Sequence, residues 1–541
     1  MVEHYPVLTI LPPILAITLA ILTRKVLLSL GLGIVVAGFL LANFAPVASL
    51  SNIWVAFAGN FYQDGAINTG SLYIIIFLLL LGAITALILM SGGSAAFSQW
   101  AAQKITGRRG AQTLAVLLGI AIFIDDYFNA LAVGQIAKPV TDKYRVARAK
   151  LAYIIDSTSA PIAVLAPFSS WGASIIGLLA PVVVASAYTG SPMQAFLGAA
   201  ATNYYAIGAV VLVLLVVFFH LDLGAMRREE HRAVAKGETF SADDDIPGEL
   251  SEDLPVHNPG QIRALIIPFI VLVVGVIGSM IITGGITGDS WSLLDVFANT
   301  LVNESLIIGG TAGFIAAVVC YLAATKANPE FTSQVMVKGS LDGAKSMVPA
   351  IAILLLAWTL GTLIGELGTG EYLAGLVTGA NVSVNWLIPL MFLIAGFMAF
   401  STGTSWGSFG LLIPIAGEVM VALQAPDHLV PAIGAVLAGA VLGDHCSPIS
   451  DTTILLSTGA GCSHIVHVAT QLPYALIGGG AALIGYIVLA LSGSSVAGLV
   501  ATIAGLVAFA FVASRMTTSL EKVYEEEVAR GTVVTGDVSA V

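Results

Sequence analysis

Charged residues are scarce in this sequence. Only 10% of the 541 residues are charged, while 57% are hydrophobic and the mean hydropathy is +0.95. Soluble globular proteins carry about a quarter charged residues, so this chain lacks the side chains for a solvated surface. The composition excludes a soluble enzyme, a nucleic-acid binder and a disordered chain. Apolar runs of roughly 18 or more residues mark membrane-spanning helices. The sequence therefore predicts an all-α polytopic membrane protein in the lipid bilayer.

Cysteines and catalytic signatures are also scarce. The three cysteines lie in apolar context, which implies no disulfide framework. The sequence has no H-E-x-x-H, G-x-x-x-x-G-K-[ST] or C-x-x-C pattern, so it contains no ATP-driven motor and implies no cofactor. Residues 403–407 match the G-x-S-x-G pattern of hydrolases, which needs a strand-to-helix turn, but their flanks are apolar helix. We therefore expect a protein that is not an enzyme.

The placement of basic residues predicts the topology. Apolar runs of spanning length fall at about 6–23, 26–43, 71–91, 196–219, 263–283, 304–324, 347–366, 470–492 and 494–514. Short loops rich in Lys and Arg mark the cytoplasmic side, whereas 44–70, 284–303 and 367–384 contain neither residue and are placed outside. The N-terminus has no basic region, which predicts a retained first span. The expected location is the plasma membrane, with the N-terminus outside and the C-terminus cytoplasmic.

Two segments of the first half do not fit simple spans. Segment 110–137 lies between two basic clusters but is too short for two crossings, which predicts a re-entrant hairpin with Asp125 and Asp126 at its tip. Segment 149–180 must cross once, yet it is longer than one crossing needs. Its Asp-Ser-Thr-Ser-Ala-Pro stretch, ending at Pro161, is a poor helix interior and predicts a broken helix.

The second half repeats this pattern with the opposite orientation. A hairpin is predicted at about 385–423 and a broken helix at about 431–461. Inverted repeats with discontinuous helices are typical of secondary transporters. The predicted fold has about 11 full spans plus two hairpins. Its parts are a first inverted repeat at 1–219, an acidic cytoplasmic loop at 220–262, a second inverted repeat at 263–492, an extra span at 493–514 and a cytoplasmic tail at 515–541.

The polar hairpin tips and helix breaks form the predicted binding site. Irregular backbone survives at membrane depth where it lines a cavity, and oxygen ligands suit a hard cation. Buried acids are costly, and the stretches 151–226 and 346–514 contain no Lys or Arg to pair with them, which indicates Na+ and H+ as counter-charges. The Na+ candidates are Asp156, Asp444 and Asp451. The remaining candidate residues are Asp125, Asp126, Asn129, Ser157, Thr158, Ser159, Thr402, Thr404, Ser405, His445, Ser447, Ser450 and Thr452.

Helix capping is the alternative interpretation of these acids, and it does not exclude ion binding. His445 is equally well explained as a packing group, and His464 and His467 are interpreted as interfacial residues. A carboxylate that titrates near physiological pH can bind either H+ or Na+, and such competition produces antiport. The alternative function is an ion-coupled carrier of a small organic acid or amino acid, in which half-helix N-termini hold the carboxylate.

Four motifs resemble the NhaC-type Na+/H+ antiporter family of the ion transporter superfamily. They are FIDDYFN at 123–129, YIIDSTSAP at 153–161, GTSWG at 403–407 and LGDHCSPISDT at 442–452. The resemblance covers roughly residues 70–480. It implies Na+/H+ exchange or, for some relatives, ion-coupled exchange of an organic acid such as malate for lactate. It also implies a homodimer with an elevator-like movement. The acidic loop and the tail lie outside the matching pattern.

Overall fold

The computed structural model is almost entirely helical, with 81% helix. This confirms the all-α prediction. It describes residues 6–516 and 520, apart from residues 24, 64, 106, 124–125, 168, 187, 242–243, 245–253, 289, 370–371 and 373–382. Asp125 and most of the tail therefore lie outside the described residues.

Thirteen α-helices, a 3₁₀ turn and a small β-hairpin are described before residue 254. After the 3₁₀ turn Pro6–Ile10, the helices before the hairpin are α1 Leu11–Thr23, α2 Val26–Leu41 and α3 Pro46–Gly59. The strands β1 Tyr62–Gln63 and β2 Ala66–Ile67 pair antiparallel, with Tyr62 opposite Ile67. The remaining helices are α4 Thr69–Met90, α5 Gly93–Lys104, α6 Gly107–Ala121, α7 Asp126–Lys143, α8 Arg148–Asp156, α9 Ala160–Leu165, α10 Ser170–Ala185, α11 Pro192–Ala201, α12 Tyr204–Phe219 and α13 Gly224–Lys236.

Eleven α-helices are described after residue 254. The long ones follow the apolar runs, since α14 and α16 each cover the whole of a predicted span. The elements are α14 Arg263–Thr287, α15 Leu293–Ala298, α16 Val302–Thr325, α17 Ser333–Ser346, α18 Val348–Glu366, α19 Val384–Thr402, α20 Ser405–Ala422, α21 Pro426–Cys446, α22 Asp451–Ala460, α23 His464–Ser492 and α24 Ser495–Met516.

Eight helices in the described part of the chain are long and apolar enough to cross a membrane. The bent pair α11 and α12, which meet at 46°, raises this number to nine. These helices establish a polytopic membrane protein. The predicted total of about 11 spans, the inverted symmetry of the halves and the sidedness of the termini stay predictions.

Helix breaks occur where residues that disfavour helix are found. The chain leaves helical geometry at Ser157–Ser159, between α8 and α9, and again at Ser447–Ser450, between α21 and α22. Each half also contains a pair of packed helices joined by a short turn, α6 with α7 and α19 with α20. The second turn contains Gly403 at φ +71°, a conformation that glycine adopts without strain.

Several elements are absent from the sequence-based prediction. Helix α3 lies in a segment expected to be an external loop, and α13 lies in the acidic loop. Their sequences lack a spanning apolar run, so their helicity depends on tertiary contacts. A further interruption separates α9, which ends at Leu165, from α10, which begins at Ser170; Ser169 accepts a hydrogen bond from the Gly172 amide at 2.8 Å and caps α10.

The broken helix α21–α22 lies at the centre of the packing. Helix α21 packs against α19, α20 and α23, and α22 packs against α7, α8 and α18. Glycines permit the closest approaches. A Cβ atom on Gly459 would lie 2.3 Å from the carbonyl oxygen of Ala130, and one on Gly443 would lie 2.0 Å from that of Gly396. Small residues at helix interfaces bring backbones together in this way, so both halves meet at the helix breaks.

Candidate functional site

The three Na+ candidates lie at the ends of half-helices. Asp156 is the last residue of α8, Asp444 is in the final turn of α21 and Asp451 is the first residue of α22. Asp156 and Asp444 are fully buried and Asp451 is 7% exposed. The helix breaks thus bring three carboxylates into the protein interior, where each needs hydrogen-bonding partners.

Asp444 is surrounded by hydroxyl groups. Ser450 donates to one carboxylate oxygen at 2.7 Å, and Ser405 and Thr452 both donate to the other at 3.0 Å. Ser405 begins α20 after the hairpin turn, so the hairpin and the broken helix both contribute to the cluster. No described Lys, Arg or His forms an ion pair with Asp444. This cluster has only oxygen atoms around the carboxylate, which is the ligand chemistry that a hard cation prefers.

Asp451 joins the two halves of the chain. The Tyr127 hydroxyl, from the start of α7, donates to Asp451 at 2.6 Å. The amide of Thr452 donates to the other carboxylate oxygen at 2.9 Å. Asp451, Thr402 and Thr404 all line a cavity of about 700 Å³. A solvent-accessible route therefore reaches one of the predicted ion-binding carboxylates.

Asp156 has nitrogen-bearing neighbours. The Nε2 atoms of His445 and His467 each lie 3.3 Å from a carboxylate oxygen of Asp156, and the Gln471 amide donates to the carboxylate. Gln471 also donates to the carbonyl oxygen of His445 at 3.0 Å, and the Tyr205 hydroxyl is 3.0 Å from His445 Nδ1. All five residues are at most 2% exposed. Asp156 and Asp444 thus occupy chemically different environments.

The other sequence-predicted residues mostly support the backbone. Ser447 donates to the Phe400 carbonyl at 2.8 Å, which connects the second helix break to the hairpin helix α19. Asn129 donates to the carbonyls of Gly119 and Ile122, both at 2.7 Å, and so holds the first turn together. The hydroxyls of Thr158 and Ser159, in the first break, donate to carbonyls at the end of α8, and that of Thr402 donates to a carbonyl of its own helix α19. Asp126 and Ser157 are buried near these turns.

Sequence reasoning missed four side chains of this site. These are His467 and Gln471 on α23, Tyr205 on α12 and Tyr127 on α7. The interpretation of His464 and His467 as interfacial is wrong, because they are 2% and 0% exposed. Their spacing carried a signal, since polar residues at 464, 467 and 471 lie on one face of an otherwise apolar helix. Asp156, which His467 and Gln471 contact, is 315 residues away from Gln471, and no local pattern indicates that contact.

Two buried ion pairs involve charged residues of α6, α8 and the stretch 222–236. Buried Arg108 pairs with buried Glu230 on α13, and buried Lys150 pairs with buried Asp222. Burial, reinforced by Arg109 and other nearby cationic groups, lowers the pKa of His220 to about 4. Its neutral ring can therefore accept a hydrogen bond from Arg109, whose guanidinium lies 2.6 Å from Nε2. Burial also raises the pKa of Glu229, although Arg232 opposes this shift.

The described residues contain no group of three or more His, Cys, Asp or Glu side chains arranged to hold a metal ion. The clusters at Asp444 and Asp156 combine one carboxylate with hydroxyl, amide and imidazole groups.

Of the similar proteins described below, those whose function is named are transporters. An uncharacterised protein of Haemophilus influenzae is 43% identical over 513 residues, which are 94% of this chain and 95% of that protein. An uncharacterised Na+/H+ antiporter of the same organism is 31% identical over 186 residues, 34% of this chain and 36% of its own. The malate-2H+/Na+-lactate antiporter of Bacillus subtilis is 35% identical over 141 residues, 24% of this chain and 28% of its own.

The family assignment depends on extended matches. The solved YdaH transporter of Alcanivorax borkumensis aligns over 82% of this chain and 88% of its own, but at 14% identity and a TM-score of 0.34 it carries no argument about this fold. By contrast, residues 162–491, more than half of the chain, match the model of the Na+/H+ antiporter family, and this stretch contains Asp444 and Asp451. The chain belongs to the Na+/H+ antiporter family.

Proposed function

We propose that this protein exchanges Na+ for H+, and that Na+ binds at the Asp444 carboxylate. The oxygen-only environment of Asp444 carries the proposal. The hydroxyls of Ser405, Ser450 and Thr452 already surround this carboxylate, and each can turn its proton away and offer a lone pair to a cation. A single carboxylate neutralises one Na+ or one proton, so the two compete for this site.

Asp451 and Asp156 extend this site in different ways. Asp451 connects the Asp444 cluster to the 700 Å³ cavity and receives the Tyr127 hydroxyl, so it is proposed to exchange ions with that cavity. Asp156 is proposed as a second exchangeable carboxylate, with His445, His467 and Gln471 holding it in position. Asp126, at the first turn, is proposed as a gate residue, together with Asp125, which lies outside the described residues.

Alternating access is proposed to use the two broken helices and the two hairpins. Each broken helix packs against the hairpin helices of its own half, since α8 contacts α6 and α7, and α21 contacts α19 and α20. A rigid-body movement of one half against the other would expose the carboxylates to the opposite side. The inverted repeats, the homodimer, the plasma-membrane location and the predicted sidedness of the termini belong to this proposal.

A second candidate function is Na+- or H+-coupled exchange of a small organic acid or amino acid. It is supported by the 35% identity to a malate-2H+/Na+-lactate antiporter. In this case the cation at Asp444 would be the driving ion.

The test uses purified protein in liposomes with an imposed pH gradient and a pH-sensitive dye. We expect Na+ alone to collapse the gradient, K+ to leave it intact, and Asp444→Asn and Asp156→Asn to abolish the Na+ response. Glu330→Gln, which alters an exposed acid in the turn before α17, is the matched control and should behave as wild type. If the dye responds to Na+ only when an organic acid is also added, the second candidate function replaces Na+/H+ antiport. A full Na+ response in Asp444→Asn would refute the site.

A further inference from the structure

The 700 Å³ cavity above Asp451, here called the vestibule, is much larger than Na+ requires. Its walls include the first turns of α4 and α16, the second half of α18 and the Gly403 turn, and its floor contains Tyr127 and Asp451. Ligand pockets for small organic molecules typically have volumes of about 300–1,000 Å³. The vestibule therefore has the size of a ligand site as well as that of an ion pathway.

One face of α18 provides a continuous wall of the vestibule. Trp358, Thr362 and Glu366 follow each other at intervals of four residues and all line the cavity. Residues with this spacing lie on the same side of a helix, and eight residues extend about 12 Å along its axis. The wall thus presents an indole ring, a hydroxyl and a carboxylate to one elongated ligand.

The charge of the vestibule selects against anions. Asp451 and Glu366 line it, and none of the described lining residues is Lys, Arg or His. The N-termini of α4, α16, α20 and α22 reach the cavity, and all of them except that of α20 carry a capping or acidic side chain. The Asn68 side chain accepts a hydrogen bond from the Ser71 amide at the start of α4, and Glu304 occupies the first turn of α16. A helix N-terminus compensated by an acidic residue attracts anions weakly.

The aromatic residues favour an organic cation over a bare metal ion. Tyr127 and Trp358 both line the vestibule, and Tyr62 lies at its rim with 60% exposure. Ammonium groups are attracted to the faces of aromatic rings, most strongly to Trp. Asn303 also lines the vestibule and adds a polar side chain for the remainder of a ligand.

We propose that the vestibule is a binding site for an organic monocation of the primary amine class. The ammonium group binds at the Asp451 carboxylate between Tyr127 and Trp358, and the organic part lies along α18 towards Glu366. The inference deepens the proposed function, because a ligand bound at Asp451 competes with Na+ for access to Asp444. It stands independently of whether Na+ is exchanged for H+.

The test measures binding without transport, by thermal unfolding of the purified full-length protein in detergent with K+ as the only metal cation. The probes are benzylammonium, benzyl alcohol and benzoate, which share a ring and differ in charge. We expect benzylammonium to raise the unfolding midpoint in a saturable manner, and the neutral and anionic probes to have no effect. A larger shift with benzoate than with benzylammonium would overturn the proposal and favour an organic acid at this site. Equal shifts with all three probes would indicate non-specific partitioning and would also overturn it.

Variants locate the site. Asp451→Asn should abolish the benzylammonium shift, and Trp358→Leu should weaken the apparent affinity about tenfold, within the range of cation–π energies. Glu366→Gln changes an exposed residue and should also weaken benzylammonium binding. It replaces Asp451→Asn as the test variant if Asp451→Asn does not fold. Glu330→Gln is the control. Unchanged affinity in both Trp358→Leu and Glu366→Gln would overturn the proposal.

Transport data separate this inference from the proposed function. Asp444→Asn should lose the Na+ response and keep benzylammonium binding. If wild-type protein shows no Na+ response but binds benzylammonium through Asp451, the antiport proposal fails and the vestibule site stands. If Na+ exchange is present and benzylammonium does not bind, the vestibule inference fails alone.

Discussion

Replacing Glu230 by Gln should destabilise the protein by about 3–5 kcal/mol. Glu230 is 0% exposed and Arg108 is 1% exposed, and the two form an ion pair between α13 and α6. Glu230 also accepts the Ala147 amide at 2.7 Å, just before α8. Gln keeps an acceptor for that amide but removes the negative charge that faces the buried Arg108 guanidinium. Breaking a buried pair from one side costs about 3–5 kcal/mol.

The expected change in melting temperature follows from the length of the chain. Unfolding entropy is about 2.1 cal/mol/K per residue, or about 1.1 kcal/mol/K for this chain, so the loss corresponds to a decrease of about 3–5 °C. Differential scanning fluorimetry in one detergent would measure it. Glu229→Gln is the matched control, because its pair with Arg232 is 16–19% exposed and should contribute at most about 1 kcal/mol.

A double-mutant cycle tests the cause of the destabilisation. Arg108→Met removes the other charge, and the double variant should recover much of the loss, because an apolar replacement of a whole buried pair is often neutral. The reasoning would be refuted if the melting temperature of Glu230→Gln lies within 0.5 °C of wild type, which is roughly the scatter of a neutral substitution. Strictly additive decreases in the double variant would refute it as well.

Three further predictions concern the turns, the helix packing and pH. Asn129→Ala should cost about 1–3 kcal/mol in unfolding free energy, because one buried and one partly buried carbonyl lose their donor; an unchanged melting temperature would contradict this. Gly443→Ala should abolish Na+-dependent proton movement, because its Cβ would lie 2.0 Å from the Gly396 carbonyl, whereas Gly480→Ala, with nothing within 4 Å, should be neutral. The pKa of His220 is about 4 in the folded protein and 6.5 in a model peptide. Between these two pH values the unfolded chain therefore binds more protons than the folded protein, and the free energy of unfolding decreases as the pH is lowered. Melting curves from pH 7.5 to 4.5 should show a shallower decrease in His220→Gln, and parallel curves would exclude the effect.

Local chemistry explains what could be predicted from the sequence. Pro161 and Pro448 disfavour helix in the residues before them, and the adjacent Asp, Ser and Thr side chains compete for the backbone. The structure interrupts its helices at Ser157–Ser159 and Ser447–Ser450, beside these prolines. Apolar runs likewise predict most long helices to within a few residues, since length and hydrophobicity are local properties.

Tertiary contacts explain what could not be predicted. Helix α13 has no apolar run, and its buried Glu230 is held by Arg108, 122 residues earlier in the chain. The partner of Tyr127 is 324 residues away at Asp451. The sequence identified Asp156, Asp444 and Asp451 as Na+ candidates, but it could not assign hydroxyls to one carboxylate and imidazoles to another. That difference exists only in the folded protein.

The contrast between these two environments bears on how exchange could be coupled. Gln471 donates to both the Asp156 carboxylate and the carbonyl oxygen of His445, and His445 directly follows Asp444 in the chain. A cation entering the Asp444 cluster would draw in Ser450 and Thr452, which follow the break after α21. Any resulting shift of α21 would move the carbonyl that Gln471 holds and so alter the contacts of Asp156. The helix break therefore provides a short covalent and hydrogen-bonded connection between an oxygen-lined carboxylate and a nitrogen-lined one.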